Sequence, residues 1–90
     1  MKFEFDPNKS ASNEEKHGID FVTAQKLWHL PTWRFQLPYE AEIRWAVVGT
    51  IEQKYWTVVI TYRGATNDII RIISARRSRK KEEMLYEENI

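Results

Sequence analysis

The run Ile69-Ile70-Arg71-Ile72-Ile73-Ser74-Ala75-Arg76-Arg77 limits the folds open to this chain more than any other stretch. Its four isoleucines, bounded by Asn67-Asp68 before and a basic run after, read as a buried β-strand of ordinary length. Side chains alternate along a strand, so Ile70, Ile72, Ser74 and Arg76 are expected on one face and Ile69, Arg71, Ile73 and Ala75 on the other. Both faces are apolar, which points to a strand inside a sheet. Arg71 in its middle then requires a carboxylate, a backbone acceptor or a bound anion.

The rest of the chain supplies neighbours for this strand. Ninety residues support one small core, so residues 1–90 are expected to form a single domain. Twelve aromatic residues (four Trp, four Tyr, four Phe) let so small a core bury enough area to be stable. Lys2 to Phe5 alternates polar and aromatic and reads as a short strand. Asp6-Pro7 is a helix start, with a carboxylate for the free amides and a proline that presets φ, and Gly18 is placed to close that helix after His17. Only Ala11 and its neighbours on this polar helix are expected to pack. A second helix opens at Asp20, carries Phe21, Ala24 and Trp28 at helical spacing, and ends before Pro31.

Trp33 to Leu37 reads as irregular chain or an edge strand. Ile43 to Ile51 and Tyr55 to Arg63 are β-rich strands joined by a tight connection, and Gly64 to Asn67 turns the second into Ile69. Short connections imply antiparallel neighbours, hence a three-stranded meander. A last helix, capped by Ser74 or Ser78, is expected to run toward Glu88 and to pack through Met84, Leu85 and Ile90. The expected class is α+β, with an antiparallel sheet, two N-terminal helices and one C-terminal helix.

Charge is balanced overall, with 14 basic and 13 acidic residues, but its distribution is uneven. Arg63 to Lys81 holds seven basic residues against the single acid Asp68, a segment charge of +6, before Glu82, Glu83, Glu87 and Glu88 reverse the sign. Such a segment either holds a phosphate backbone or is a solvated helix face laced with Lys/Glu pairs. No cysteine is present, which excludes disulfides and thiolate metal sites, and the only imidazoles are His17 and His29. No metal and no cofactor are expected. The N-terminus lacks an apolar signal core and no stretch reaches the ~20 apolar residues that span a bilayer, so a cytoplasmic protein without a membrane partner is expected.

The chemistry left is that of cations and a few proton carriers. Arg44, Arg63, Arg71, Arg76 and Arg77 lie at strand ends that a meander can bring to one surface. Guanidinium groups hold phosphates bidentately and stabilise the charge of a phosphoryl transition state. Glu42, His17 and Tyr86 are the candidate proton movers for a metal-free ribonuclease. Each has a plainer use: Glu42 as partner of Arg44 or Arg63, His17 as a helix C-terminal cap on the macrodipole, Tyr86 as a packed ring with its hydroxyl in water.

Phe5-Asp6-Pro7-x-Lys9, Asn13-x-x-Lys16-His17-Gly18-Ile19-x-Phe21, Glu42-x-Arg44 followed by Gly49, Ile70-Arg71-Ile72-Ile73-Ser74-Ala75-Arg76 and Tyr86-Glu87 together resemble the BrnT toxins of bacterial type II toxin–antitoxin pairs. The resemblance covers nearly the whole chain. It implies a RelE-like fold, metal-independent endoribonuclease activity that inhibits translation and growth, and neutralisation by a BrnA-like ribbon-helix-helix antitoxin. Through that antitoxin the complex is expected to reach operator DNA and repress its own operon. The implied catalytic set is Arg63, Arg76 and Arg77, with Glu42 or His17 moving protons; Arg71, Arg44, Arg79, Lys80 and Lys16 are expected to bind RNA. The alternative is a non-catalytic antitoxin-binding or co-repressor domain. The aromatic segment Pro31 to Tyr39 departs from the more polar family pattern.

Overall fold

A computed structural model describes residues 2–90. The elements run β1 (Lys2–Glu4), α1 (Pro7–His17), α2 (Phe21–Ala24), a 3₁₀ turn (Gln25–His29), β2 (Trp33–Gln36), β3 (Trp45–Ile51), β4 (Lys54–Arg63), β5 (Ile69–Arg77) and α3 (Lys80–Asn89). The strands form one sheet in the order β1-β5-β4-β3-β2. Strands β2 to β5 pair antiparallel, as the short connections require, but β1 pairs parallel to β5 through Lys2–Ile69, Phe3–Ile70 and Glu4–Arg71. The sheet is therefore mixed, a correction to the all-antiparallel expectation. β1 feeds directly into α1, which packs back along β5, and the free edge of β5 takes the strand in that direction.

α1 starts and stops where Asp6, Pro7 and Gly18 dictate. The Asp6 carboxylate accepts from the Asn8 amide at 2.8 Å, and Gly18 closes the helix at φ 77°, in the left-handed region. Its packing corrects the expectation centred on Ala11, which is exposed; the buried residues are Ser10 and Asn13. Ser10 Oγ accepts the Phe21 amide at 2.8 Å. Asn13 Nδ2 donates to the Ile19 carbonyl (2.8 Å) and the Ala75 carbonyl (2.9 Å), while its Oδ1 accepts from the Ala75 amide (3.2 Å). Because β1 covers β5 only as far as Arg71, one asparagine stands in for the missing strand at Ala75. A polar helix thus docks on a sheet edge by hydrogen bonds, which removes the cost of leaving buried backbone groups unpaired.

β5 is paired on both sides, as its isoleucines predict, but it carries a bulge. Ile60 opposes Ile72 and Val59 opposes Ser74, so Ile73 is extra. The alternation shifts by one there: Ile70 and Ile72 face the core with Ala75, not with Ser74 and Arg76 as strict alternation demands. Arg76, opposite Thr57, and Arg71, opposite Thr61, consequently leave β5 on the same face. The other face, with Val47, Ile51, Val58, Ile60, Ile70, Ile72 and Ala75, packs against Ile19, Phe21, Ala24 and Leu27. The close approach of Leu27 explains Gly49, where a Cβ would lie 2.9 Å from Leu27 Cγ.

α3 lies across the face that bears Thr57 and Arg76. Its N-cap is Arg79, not Ser74 or Ser78, and its buried residues are Glu82 and Tyr86, whereas Met84 and Ile90 are exposed. Tyr86 packs edge-on to Tyr55 and donates to the Pro31 carbonyl at 3.0 Å. Carboxylate and phenol, rather than aliphatic residues, anchor the helix.

Candidate functional site

Two clusters of arginines occupy opposite ends of β5, roughly 16 Å apart along the strand. At the end where β3 begins and β4 finishes, Arg44, Arg63 and Arg71 meet two carboxylates. Glu42 accepts from Arg44 Nε at 2.8 Å and lies 3.9 Å from Arg63 Nη2; Glu4 lies 3.6 Å from Arg63 Nε and 3.3 Å from Arg71 Nη1. The chain before β3 is fixed over this end by Thr61, whose hydroxyl donates to the Ile43 carbonyl at 2.8 Å. Arg44 is stacked 3.9 Å over the Tyr39 ring.

A cleft of about 710 Å³ opens beside these groups, lined in part by Arg34, Glu42, Trp45, Thr61, Tyr62 and Arg63. Thr61 and Tyr62 are consecutive on β4 and point to opposite faces, so the cleft wraps around the end of the sheet. Its ion pairs are half-exposed: the Arg63 side chain is 51% accessible and Glu42 33%. In such a setting an ion pair is weak and exchangeable, and a phosphate can displace a carboxylate from a guanidinium. The cleft therefore offers one carboxylate able to take a proton and two lining cations, Arg34 and Arg63, able to hold an anion, with Arg44 paired to that carboxylate.

The second cluster is built differently. Arg76 Nη1 and Nη2 donate to Glu82 Oε1 and Oε2, both at 2.8 Å, and Glu82 Oε1 also accepts from the Thr57 hydroxyl (2.9 Å) and the Arg79 amide (2.8 Å). The Ser78 and Thr57 hydroxyls are 2.8 Å apart. The Glu82 side chain is only 9% accessible. Burial alone would raise its pKa; the Arg76 fork, the Arg79 amide and the Thr57 hydroxyl outweigh burial and hold it at about 2. The hydrogen bonds to Glu82 in turn raise the pKa of Arg76 against its own desolvation. Arg76 is thus engaged in fastening α3 to β4 and β5.

Arg77, Arg79 and Lys80 are exposed near the same helix start. Arg77 Nε donates to the Tyr55 carbonyl at 3.1 Å and its guanidinium lies 5.4 Å over the Trp56 ring. Lys16 and His17 are exposed at the end of α1, and neither side chain enters a hydrogen bond or ion pair among the described residues.

The expected surface is therefore divided. Glu42, Arg44, Arg63 and Arg71 come together; Arg76, Arg77, Arg79 and Lys80 gather at the far end, and the structure does not bring the two sets into contact. Glu4, Arg34, Tyr62 and Glu82 were missed. Glu4 carries no local signal, because its partner Arg71 lies 67 residues away across a strand pairing. Glu82 carries one, standing three residues after the N-cap Arg79 as a capping-box acid, but its contact with Thr57, 25 residues away, is not local. The alternating Trp33-Arg34-Phe35 of the edge strand was the available signal for Arg34.

The chain matches the family of BrnT ribonuclease toxins of type II toxin–antitoxin systems over residues 5–82. It belongs to the BrnT family. The match reaches from Phe5 to Glu82 and so takes in both arginine clusters and the carboxylate that locks the second. Membership of BrnT implies an RNA target and an antitoxin partner. No curated protein matches the chain. No helix among the described residues is long and apolar enough to cross a membrane.

Proposed function

We propose that this BrnT protein is a metal-independent endoribonuclease whose reaction centre is the cleft at the start of β3. The observation that carries this reading is Glu42 held between Arg44 and Arg63 on the wall of that cleft. Glu42 takes the proton of an RNA 2′-hydroxyl, O2′ bonds to the adjacent phosphorus, and the 5′-oxygen leaves, protonated by the solvent to which the cleft is open. Products are a 2′,3′-cyclic phosphate and a 5′-hydroxyl. Arg63 and Arg44 turn from Glu42 to the phosphoryl oxygens and hold the charge that grows there, the role a metal ion would otherwise fill. Arg71 supports them from β5.

At the far end Arg76 acts through α3, and Arg77, Arg79, Lys80 and Lys81 hold the RNA backbone as point charges, with Lys16 as an outlying cation and His17 beside it. The chain acts as one RelE-like domain in the cytoplasm. Its antitoxin is a ribbon-helix-helix protein of the BrnA kind, and the pair represses its own operon by binding operator DNA through the antitoxin; the family resemblance supports this part.

One observation favours a non-catalytic, antitoxin-binding domain instead: Arg44, Arg63, Arg71 and Arg76 each already face a carboxylate. Purified protein incubated with single-stranded RNA in excess chelator decides between them. The ribonuclease reading expects cleavage with cyclic-phosphate ends in chelator and growth arrest on expression. Intact RNA with normal growth sinks it, and cleavage that needs added Mg²⁺ sinks the metal-free mechanism.

A further inference from the structure

Arg34 differs from the other cations at this end of the sheet. Arg44, Arg63 and Arg71 each face a carboxylate, but none of the ion pairs among the described residues involves Arg34. Its guanidinium lies over two rings, 4.4 Å from the Trp45 centroid and 5.4 Å from the Tyr62 centroid, and Nη1 donates to the Tyr62 hydroxyl. Strand pairing sets this up: Arg34 opposes Val47, Trp45 opposes Ile60, and Tyr62 follows Ile60 by two residues, so all three side chains leave the sheet on one side. Arg34 is nevertheless exposed, and with both rings it lines the cleft that holds Glu42 and Arg63.

An exposed cation on aromatic rings adds little to stability. What the arrangement does achieve is to fix a flexible side chain so that its planar donor fork is presented in one orientation. Unpaired RNA bases are bound by stacking on rings and guanidinium planes and are read along their edges. Among the bases, guanine presents two adjacent acceptors, O6 and N7, which an arginine fork meets bidentately.

We propose that Arg34, held by Trp45 and Tyr62, is a base-reading subsite that selects an unpaired guanine beside the phosphate bound at Arg63; this rests on the ribonuclease reading of the cleft. The subsite requires single-stranded RNA, because a base inside an A-form duplex cannot reach a guanidinium set into a cleft.

The test is binding of the full chain to two 2′-fluoro oligonucleotides, which lack the attacking hydroxyl: oligouridine and the same oligomer with one central guanine. The unaltered protein, Arg34→Ala and Arg34→Lys are compared, each with its melting temperature. The guanine oligomer is expected to bind about tenfold tighter, the scale of one bidentate arginine–base pair. Both variants should lose that preference, bind the two oligomers alike and melt as the unaltered protein does. Lysine keeps the charge but not the fork, so if Arg34→Ala weakens both oligomers equally and Arg34→Lys restores both, Arg34 is a phosphate contact and base reading is overturned. Equal binding of the two oligomers by the unaltered protein, or a preference that survives in either variant, also overturns it.

Cleavage of matching 2′-hydroxyl oligomers is measured separately. Arg34-dependent guanine binding without cleavage defeats the ribonuclease reading and leaves the subsite standing. Cleavage at guanine that is indifferent to Arg34 defeats the subsite alone.

Discussion

The two ends of β5 use the same residue type in opposite ways. At the α3 end, Arg76 meets a nearly buried carboxylate with both amines at 2.8 Å, and Thr57 and the Arg79 amide complete the set. At the other end, Arg63 and Arg71 share Glu4 at 3.6 and 3.3 Å, and all three side chains are a third or more accessible. Arginine on a strand is therefore not by itself a sign of function. A guanidinium bound bidentately to a nearly buried carboxylate is part of the framework, and a half-exposed one with a distant partner is free to exchange that partner for a phosphate.

That contrast makes graded predictions. The largest effect is expected at the cleft: Glu42→Gln, which keeps size but removes the proton acceptor, should lower RNA turnover by about 10²–10⁴-fold with little change in melting temperature. A variant that turns over normally removes Glu42 from the chemistry. Next is Arg76→Ala, which leaves the Glu82 carboxylate buried without its cation and should reduce unfolding stability by about 2–4 kcal/mol in denaturant titration. A loss under about 1 kcal/mol would show that this pair is no tighter than those on the surface.

The same pair fixes the acid limb of stability. The pKa of Glu82 in the folded chain, about 2, lies below its ordinary value of 4.5. Its contribution is therefore complete above about pH 5 and is lost as pH falls through 4.5 toward 2. Melting temperature followed over that window should fall steeply for the unaltered protein and less for Glu82→Gln; parallel curves would separate acid lability from this residue. The smallest effect belongs to the exposed run. Replacing Arg79, Lys80 and Lys81 together by Ala should leave the melting temperature alone and reduce the salt dependence of RNA binding by a slope of roughly 2. An unchanged slope returns the run to a solvated helix face.

Much of this architecture could be read from residues near one another in the chain. Asp6, Pro7 and Gly18 define α1 because caps act over a few residues, and the β-branched runs define β3, β4 and β5 because strand burial is a local pattern. The bulge at Ile73 could not be read in this way. It depends on how β4 and β5 align, and it moves Arg76 from the face shared with Ile70 to the face shared with Arg71. The same limit hid Asn13, whose partner Ala75 is 62 residues distant, and the contact of Glu82 with Thr57, 25 residues away, which buries one of several acids on the last helix. Of the candidate site, Glu42-x-Arg44 was legible through its spacing, while the separation of Arg63 from Arg76 was not, since strand ends that share a meander can lie at either end of it.

The measurement that bears most directly on the division of β5 is a paired one. Arg63→Ala and Arg76→Ala are each assayed for cleavage of single-stranded RNA and for melting temperature, with cleavage read well below both transitions. Arg63→Ala should lose about 10²–10³-fold in turnover, the scale of one transition-state donor, and melt like the unaltered protein. Arg76→Ala should melt markedly lower and, while folded, cleave within a few-fold of the normal rate. The reverse pattern, with Arg76→Ala inactive yet stable and Arg63→Ala active, would place the chemistry at the α3 end and contradict the cleft as the reaction centre.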